Sequence, residues 1–546
     1  MKEIMNAIQK SEKKNNNFTS TKPIVTASAV SLWVERIGVV VLFFMIAAVN
    51  LFHFCYKLNA DIAAEAVLAD LICESGEWIP GTWYPSTELR IFGTPNLAAL
   101  FCGFTGSMNL AMGISCTFMT AFIMAGIYYL TVQLGMEREK RLLFLILCMV
   151  IPNHFVILEL MYLFASYYGI HVIGLFFILG IYVKTMRANE RKGRMPYVMM
   201  FLAIIYSFCM GMQGVRGILI LSGPLLALEI FRNVYLFWTG GGKGNKKNLY
   251  LLIWTIGLVA AGYFGTKFSF SVGQGISRNI RKGPEKIFST VLPDVLRCIG
   301  FEDAGIVGKM VLGILCMWAV INLICILRKI VRKSPVDPLE WMNLFFWLSP
   351  VMSMLCVAFT TMESSERYYF LFLPLIALTA VTGTVGRKEK GEHINNVLLW
   401  CARGITLVFV LLSVTKIYLP VLKSEEPAES ELREVTEFLC EQGFERAYAT
   451  FENANTITVL ADGEVRAAAV ASVKDMSICK WLSSSSWYVP AVPYEERTAY
   501  VITEAELPEF EEFKNIHEED LQFDTQIGKY LIWSSEYNFS GVGRMK

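Results

Sequence analysis

The sequence predicts an α-helical polytopic membrane protein of about 11 transmembrane helices, N-terminus in and C-terminus out, closing with a small C-terminal extracytoplasmic α/β domain. Three observations predict it. Apolar runs of about 20 residues recur as far as Leu419, each long enough to cross a hydrocarbon core of about 30 Å as a helix. The 546 residues are 54% hydrophobic and 18% charged, with mean hydropathy +0.45, where a soluble domain carries roughly 25% charged residues. The net charge of +1 hides two opposite parts: Ser424 to Lys546 holds 24 Asp/Glu against 10 Lys/Arg, a balance of −14, so residues 1–423 carry +15. A basic membrane body and an acidic tail belong to different environments.

In chain order, residues 1–36 are polar and Lys-rich and read as a cytoplasmic tail. The first span, about 37–55, then acts as an uncleaved signal anchor. Further spans are expected at about 110–132, 142–158, 163–183, 196–213, 217–237, 249–268, 306–327, 341–360, 368–386 and 397–419. Lys/Arg cluster at 2–36, 138–141, 184–194, 232–247, 328–333 and 387–390, which are alternate loops. The positive-inside rule puts these in the cytoplasm. Outside then lie the first loop, 56–109, the loop 269–305, and the domain 424–546; the membrane domain is 37–420.

The segment 267–286, "KFSFSVGQGISRNIRKGPEK", places Lys267, Arg278, Arg281, Lys282 and Lys286 outside, against that bias. A long loop that obeys the bias poorly accounts for it; so would cations facing a phosphate at the membrane surface. In the tail, "ELREVTEFLCEQ" spaces Leu432, Val435, Phe438 and Leu439 as a helix face. "RAYATF", "TITVL", "VRAAAVASV", "TAYVIT" and "KYLIWSS" read as strands, with "ADGE" a turn. The 13 cysteines show no metal spacing, and most lie inside apolar runs.

Candidate chemistry gathers in the first loop. "ADIAAEAVLAD" places Asp61 and Glu65 four apart, on one face of a helix. Like charges there repel unless a cation, metal or proton donor lies between them. The competing reading is a solvated helix with Ile62, Ala66 and Ala69 inward. Downstream, Trp, Tyr and Pro mark the membrane boundary, Glu88 and Arg90 add a carboxylate and a guanidinium, and "NLAALFCGF" is short and apolar, as a helix lying in the interface is.

A first span, an acid soon after it, an interfacial loop ending in a short apolar helix, and a second span resemble the GT-C superfamily of integral-membrane glycosyltransferases. The chain looks like the bacterial protein mannosyltransferase and aminoarabinose transferase branch. "TPNLAALFCGFTGSMNLAMGISCTFMTAFIMAGIYYLTVQLG" (94–135) is similar to the branch's short helix, turn and second span. "GVRGILILSGPLLALEI" (214–230) and "ERYYFLFLPLIALT" (366–379) are similar to later helices, and the resemblance covers about 37–420.

The resemblance implies inverting transfer of a hexosyl or pentosyl group from a polyprenyl-phosphate donor to a lipid or glycan acceptor, in a bacterial plasma membrane. It places the catalytic acid on Asp61, with Glu65 its neighbour; a carboxylate there accepts the proton of the attacking hydroxyl. The leaving phosphate calls for cations, and the candidates are Arg90, Arg216, Arg278, Arg281, Lys282 and Arg367. An arginine at a span's outer end is more often a snorkelling anchor than a ligand. Glu88, His154 and Glu159 are further candidates, the last because an acid at a membrane boundary is functional by default. Asp61 is not followed directly by the second acid of many members, so a divalent metal stays open as a cofactor. The partners expected are the donor, the acceptor and membrane lipids, with no nucleic acid. The competing readings are a transporter or flippase of lipid-linked sugars, and a polysaccharide ligase or polymerase.

Overall fold

The computed structural model describes residues 27–152, 154–190, 195–240, 246–269, 278, 280–383, 392–424, 430–488 and 494–539. Among them, 8 helices are long and apolar enough to cross a membrane: Ser31–Phe52, Met108–Gln133, Gly169–Ala188, Ile218–Trp238, Asn248–Thr266, Gly305–Val331, Pro338–Ala358 and Asn396–Lys423. Their outward side chains, such as Phe44, Phe237 and Ile314, are exposed and apolar, as a lipid-facing surface requires.

Three of the expected spans depart from that form, so the expected eleven become eight, or 9 if the bent pair counts as one span. The run at 142–158 is split into Arg138–Val150 and Phe155–Met161, which turn 120° from each other. Pro152 lies in the break, where it supplies no N–H and disfavours helix in the residue before it. Tyr197–Gln213 has 17 residues. The run at 368–386 contains Phe372–Thr382, 11 residues, or about 16 Å of helix at 1.5 Å per residue, about half of a bilayer core.

Glycines set the closest helix approaches. A Cβ on Gly113 would stand 2.3 Å from the Asn50 carbonyl oxygen of the first span, and one on Gly211 would stand 2.0 Å from the Gly262 carbonyl oxygen. Small residues let membrane helices pack backbone to backbone.

The first loop folds as helix, short strand and helix. Ala60–Ser75 starts at Asn59, whose Oδ1 accepts from the Ile62 N–H at 2.9 Å, and ends at Gly76 with φ 67°. It is no solvated helix: Ile62 to Ala69 are all buried, Glu65 included. Thr94–Thr105 has Pro95 in its first turn and turns Leu100 and Phe104 outward, the face an interfacial helix lays into lipid.

The C-terminal region forms a six-stranded sheet. With β1 at Trp83–Tyr84 in the first loop, its strands are β2 (Arg446–Thr450), β3 (Arg466–Ser472), β4 (Ser477–Ile478), β6 (Tyr494–Thr503), β7 (Gln522–Ile527) and β8 (Tyr530–Asn538); β5 (Ser483–Ser484) stands apart. The order is β4-β3-β2-β6-β8-β7, with β2 parallel to both β3 and β6. "TITVL" is helical, not a strand: Phe451–Leu460 is the crossover between the parallel pair β2 and β3, a connection two parallel strands demand whatever the β-branched residues prefer. Cys440 and Cys479 are both free thiols.

This region docks on the first loop. β1 pairs antiparallel with β5, and the Ser485 N–H donates to the Thr82 carbonyl at 2.7 Å. Asp462 Oδ1 accepts from the backbone N–H groups of Met108 and Asn109, at 2.9 and 3.3 Å, so the domain caps the N-terminus of a membrane helix. Arg466 pairs with Glu74. First loop and C-terminal region therefore share one side of the molecule.

Candidate active site

The short run Gln213–Gly214–Val215–Arg216 organises the site. Tyr197–Gln213 ends at Gly214, whose φ of 141° suits only glycine. Gln213 is buried, and its Oε1 accepts from the backbone N–H groups of Ile91 (2.9 Å) and Phe92 (2.6 Å) in the first loop. Three residues on, Arg216 holds Glu88 through both carboxylate oxygens, at 2.7 and 2.8 Å.

From there an ionic chain runs back to the loop helix. Arg90 donates to Glu88 at 2.8 Å and to Glu65 Oε1 through Nε and a terminal nitrogen, at 2.7 and 2.6 Å. Burial raises the Glu65 carboxyl above its ordinary range, and Arg90 pulls it only partly back. Burial pushes Glu88 the same way, but Arg216 and Arg90 together bring it below its ordinary value. Glu88 has two cations where Glu65 shares one. The Arg216 guanidinium carbon stands 3.7 Å from the centroid of the Tyr168 ring, a close cation–π contact.

Beside this chain opens a cavity of about 400 Å3. Glu88, Tyr168, Arg216, Arg367 and Tyr368 line it together with the hydroxyl residues Thr87, Thr266, Ser269 and Ser353; Leu219, Ile220, Val357 and Met362 supply apolar wall. Arg367 sits in the single turn Glu366–Tyr369. Its Nε donates to Ser365 Oγ at 3.1 Å, and among the described residues it makes no ion pair with Glu363, Glu366 or any other carboxylate. Its charge is open to a ligand; those of Arg90 and Arg216 are already compensated.

Asp61 differs from Glu65. It is exposed, stands in the first turn of the loop helix, and has no ion pair among the described residues. Arg367, Glu159 and Tyr167 all lie within electrostatic reach of it, and Lys57 within reach of Glu159. The expected carboxylate pair thus divides: Glu65 is an anchor for Arg90, and Asp61 remains free.

The other expected residues scatter. Arg278 forms an isolated antiparallel bridge with Thr360, next to the cavity wall but not in it. Arg281 and Lys282 are exposed and line no part of the cavity. His154 Nε2 lies 3.9 Å from Asp303; Asn153 is outside the described residues. Among the described residues no three His, Cys, Asp or Glu side chains gather as a metal site. Tyr168, Tyr368 and Gln213 went unnoticed in the sequence, because their partners lie far along the chain and nothing local distinguishes them.

No family model and no curated protein matches the chain. Among solved structures, it is similar to ArnT from Cupriavidus metallidurans in the apo state: TM-score 0.56 at 9% identity, over 91% of this chain and 98% of that one. ArnT bound to undecaprenyl phosphate aligns at 0.49 and 11%, over 92% and 98%. The arabinofuranosyltransferase AftD from Mycobacteria aligns at 0.46 and 10%, over 93% of this chain and 40% of that one. The likeness to apo ArnT is one of fold.

Proposed function

We propose that this chain, whose fold is GT-C-like, is a membrane glycosyltransferase that moves a sugar from a polyprenyl-phosphate-linked donor to a cell-envelope acceptor, with inversion at the anomeric carbon. The observation that carries the reading is that Arg367, which lines the cavity, lies within electrostatic reach of Asp61, and neither makes an ion pair among the described residues. The fold likeness to ArnT is consistent with it.

In this reading the donor phosphate sits at Arg367, with Arg216 beside it, and its isoprenoid tail leaves along the apolar wall. Asp61 takes the proton from the acceptor hydroxyl as that oxygen bonds to the anomeric carbon. The bond from that carbon to the phosphate oxygen breaks, and the phosphate leaves with the electron pair, stabilised by the guanidinium. Acceptor and leaving group lie on opposite faces of the ring, which is what inverts the centre. Asp61 is exposed at the start of the loop helix, where an acceptor hydroxyl can reach it. The orientation that goes with this reading is N-terminus in, with the first loop and C-terminal domain outside.

Purified full-length protein given a radiolabelled polyprenyl-phosphate sugar tests it: wild type transfers the label and Asp61→Asn does not. Equal transfer by both removes Asp61 from the mechanism. Movement of lipid-linked sugar across proteoliposomes, with its bond intact, would favour the flippase reading.

A further inference from the structure

We propose that a second, polar cleft beside the cavity binds a neutral saccharide unit of the acceptor, away from the reacting hydroxyl; its role as an acceptor subsite rests on the transferase reading above. The cleft measures about 480 Å3. One wall is the helical stretch through Ile287–Val291 and Leu292–Cys298; the other is the strap from Thr361 to Ser364.

The strap divides the two spaces. Met362 lines the cavity that holds Arg216 and Arg367, whereas Thr361, Glu363 and Ser364 line the cleft. One chain's thickness therefore serves both.

Both walls are fixed before any ligand arrives. Lys286 Nζ donates to the carbonyl oxygens of Val357 (2.8 Å), Thr360 (3.1 Å) and Met362. A Cβ on Gly283 would stand 2.3 Å from the Phe359 ring, and Ser364 Oγ lies 3.0 Å from the Tyr369 hydroxyl. Lys286 is thereby committed to structure and is not the ligand's counter-charge.

What remains for a ligand is balanced between donors and acceptors. The helical wall offers Thr290, Asp294 and Arg297, with Arg297 paired to Asp294 at 3.0 Å. The strap offers Glu363, which is exposed with no ion pair among the described residues. An anion would meet two carboxylates, and a hydrocarbon chain would strip water from the hydroxyls without replacing it. A neutral polyol donates to Glu363 and accepts from Arg297, which satisfies both sets. On the outward side the same stretch exposes Phe288, Leu292 and Leu296 at intervals of four, an apolar row that suits a lipid surface.

The test is photolabelling of the full-length protein in nanodiscs with a diazirine-bearing neutral disaccharide glycoside, mapped by mass spectrometry. Labels are expected in peptides covering 286–297 and 360–365, competed by free disaccharide and not by inorganic phosphate. Thr290→Trp, which fills the cleft from an exposed position, should cut labelling at least tenfold, and the isosteric Glu363→Gln about fivefold. Labels elsewhere, insensitivity to Thr290→Trp, or competition by phosphate alone would overturn the inference. Asp61-dependent sugar transfer without cleft labelling overturns it too. Cleft labelling in a protein that transfers no sugar overturns the transferase reading instead and leaves the saccharide site standing.

Discussion

Glu88 holds Arg216 through both carboxylate oxygens, at 2.7 and 2.8 Å, across 128 residues of chain. With Arg90 on its other side, this carboxylate joins the first loop to the start of a membrane helix. Breaking a buried pair strands the surviving charge at a cost of about 3–5 kcal/mol. Glu88→Gln should therefore destabilise the protein by about 3 kcal/mol in detergent unfolding. Adding Arg216→Gln should recover part of that loss. Additive losses would mean that the two residues are not coupled.

Asp61 is exposed, so Asp61→Asn should leave the unfolding midpoint unchanged while lowering transfer by about 10^2–10^4-fold, the usual worth of a positioned base. Glu65→Gln should do the reverse in emphasis: it leaves Arg90 buried and short of a partner, so stability falls first. The comparison of melting and turnover in the two variants separates a base from an anchor.

Arg367 has no ion pair among the described residues, so its loss costs little stability. Arg367→Gln should raise the KM for donor about 10–100-fold, equal to a charge-assisted hydrogen bond of about 1.5–3 kcal/mol. Arg367→Lys should recover only part, since an ammonium cannot offer the two-pronged contact. Unchanged donor KM in Arg367→Gln would place the phosphate elsewhere.

Asp70 faces the C-terminal domain, and burial pushes its carboxyl up to about 6, with Glu74 and Asp462 adding to the rise and Arg466 opposing it. A raised carboxyl means that the folded state binds the proton more tightly. Its contribution is thus most favourable below about pH 4 and declines as pH climbs to about 6. Asp70→Asn should flatten that part of the stability profile and stabilise the loop–domain contact at pH 7 by on the order of 1 kcal/mol, allowing for its partial exposure. Thermal melts of both proteins from pH 4 to 7 measure it.

Gly211 meets the Gly262 carbonyl where a Cβ would stand 2.0 Å away. Gly211→Ala forces apart the helices Tyr197–Gln213 and Lys246–Thr266, and Gln213, which anchors Ile91 and Phe92, lies at the end of the first of them. Overpacking of this kind costs about 1–3 kcal/mol, and donor KM should worsen along with the melting point.

Hydrophobicity, charge balance and residue periodicity determined that this chain is a multi-span helical membrane protein with a mixed α/β tail, because all three are properties of local sequence. The helix over "ELREVTEFLCEQ", most of the strands, and the concentration of charged candidates in the first loop were legible for the same reason. Only the tertiary structure decided the rest. It made "TITVL" a crossover helix because β2 and β3 run parallel, and it bent the 142–158 run at Pro152. It also parted Asp61 from Glu65. Their spacing of four gave both the same helical face, but which carboxylate is neutralised depends on Arg90, and whether Arg216 is free depends on Glu88. Those partners are 25 and 128 residues away, so charge pairing, unlike hydrophobic periodicity, could be read only after the chain had folded.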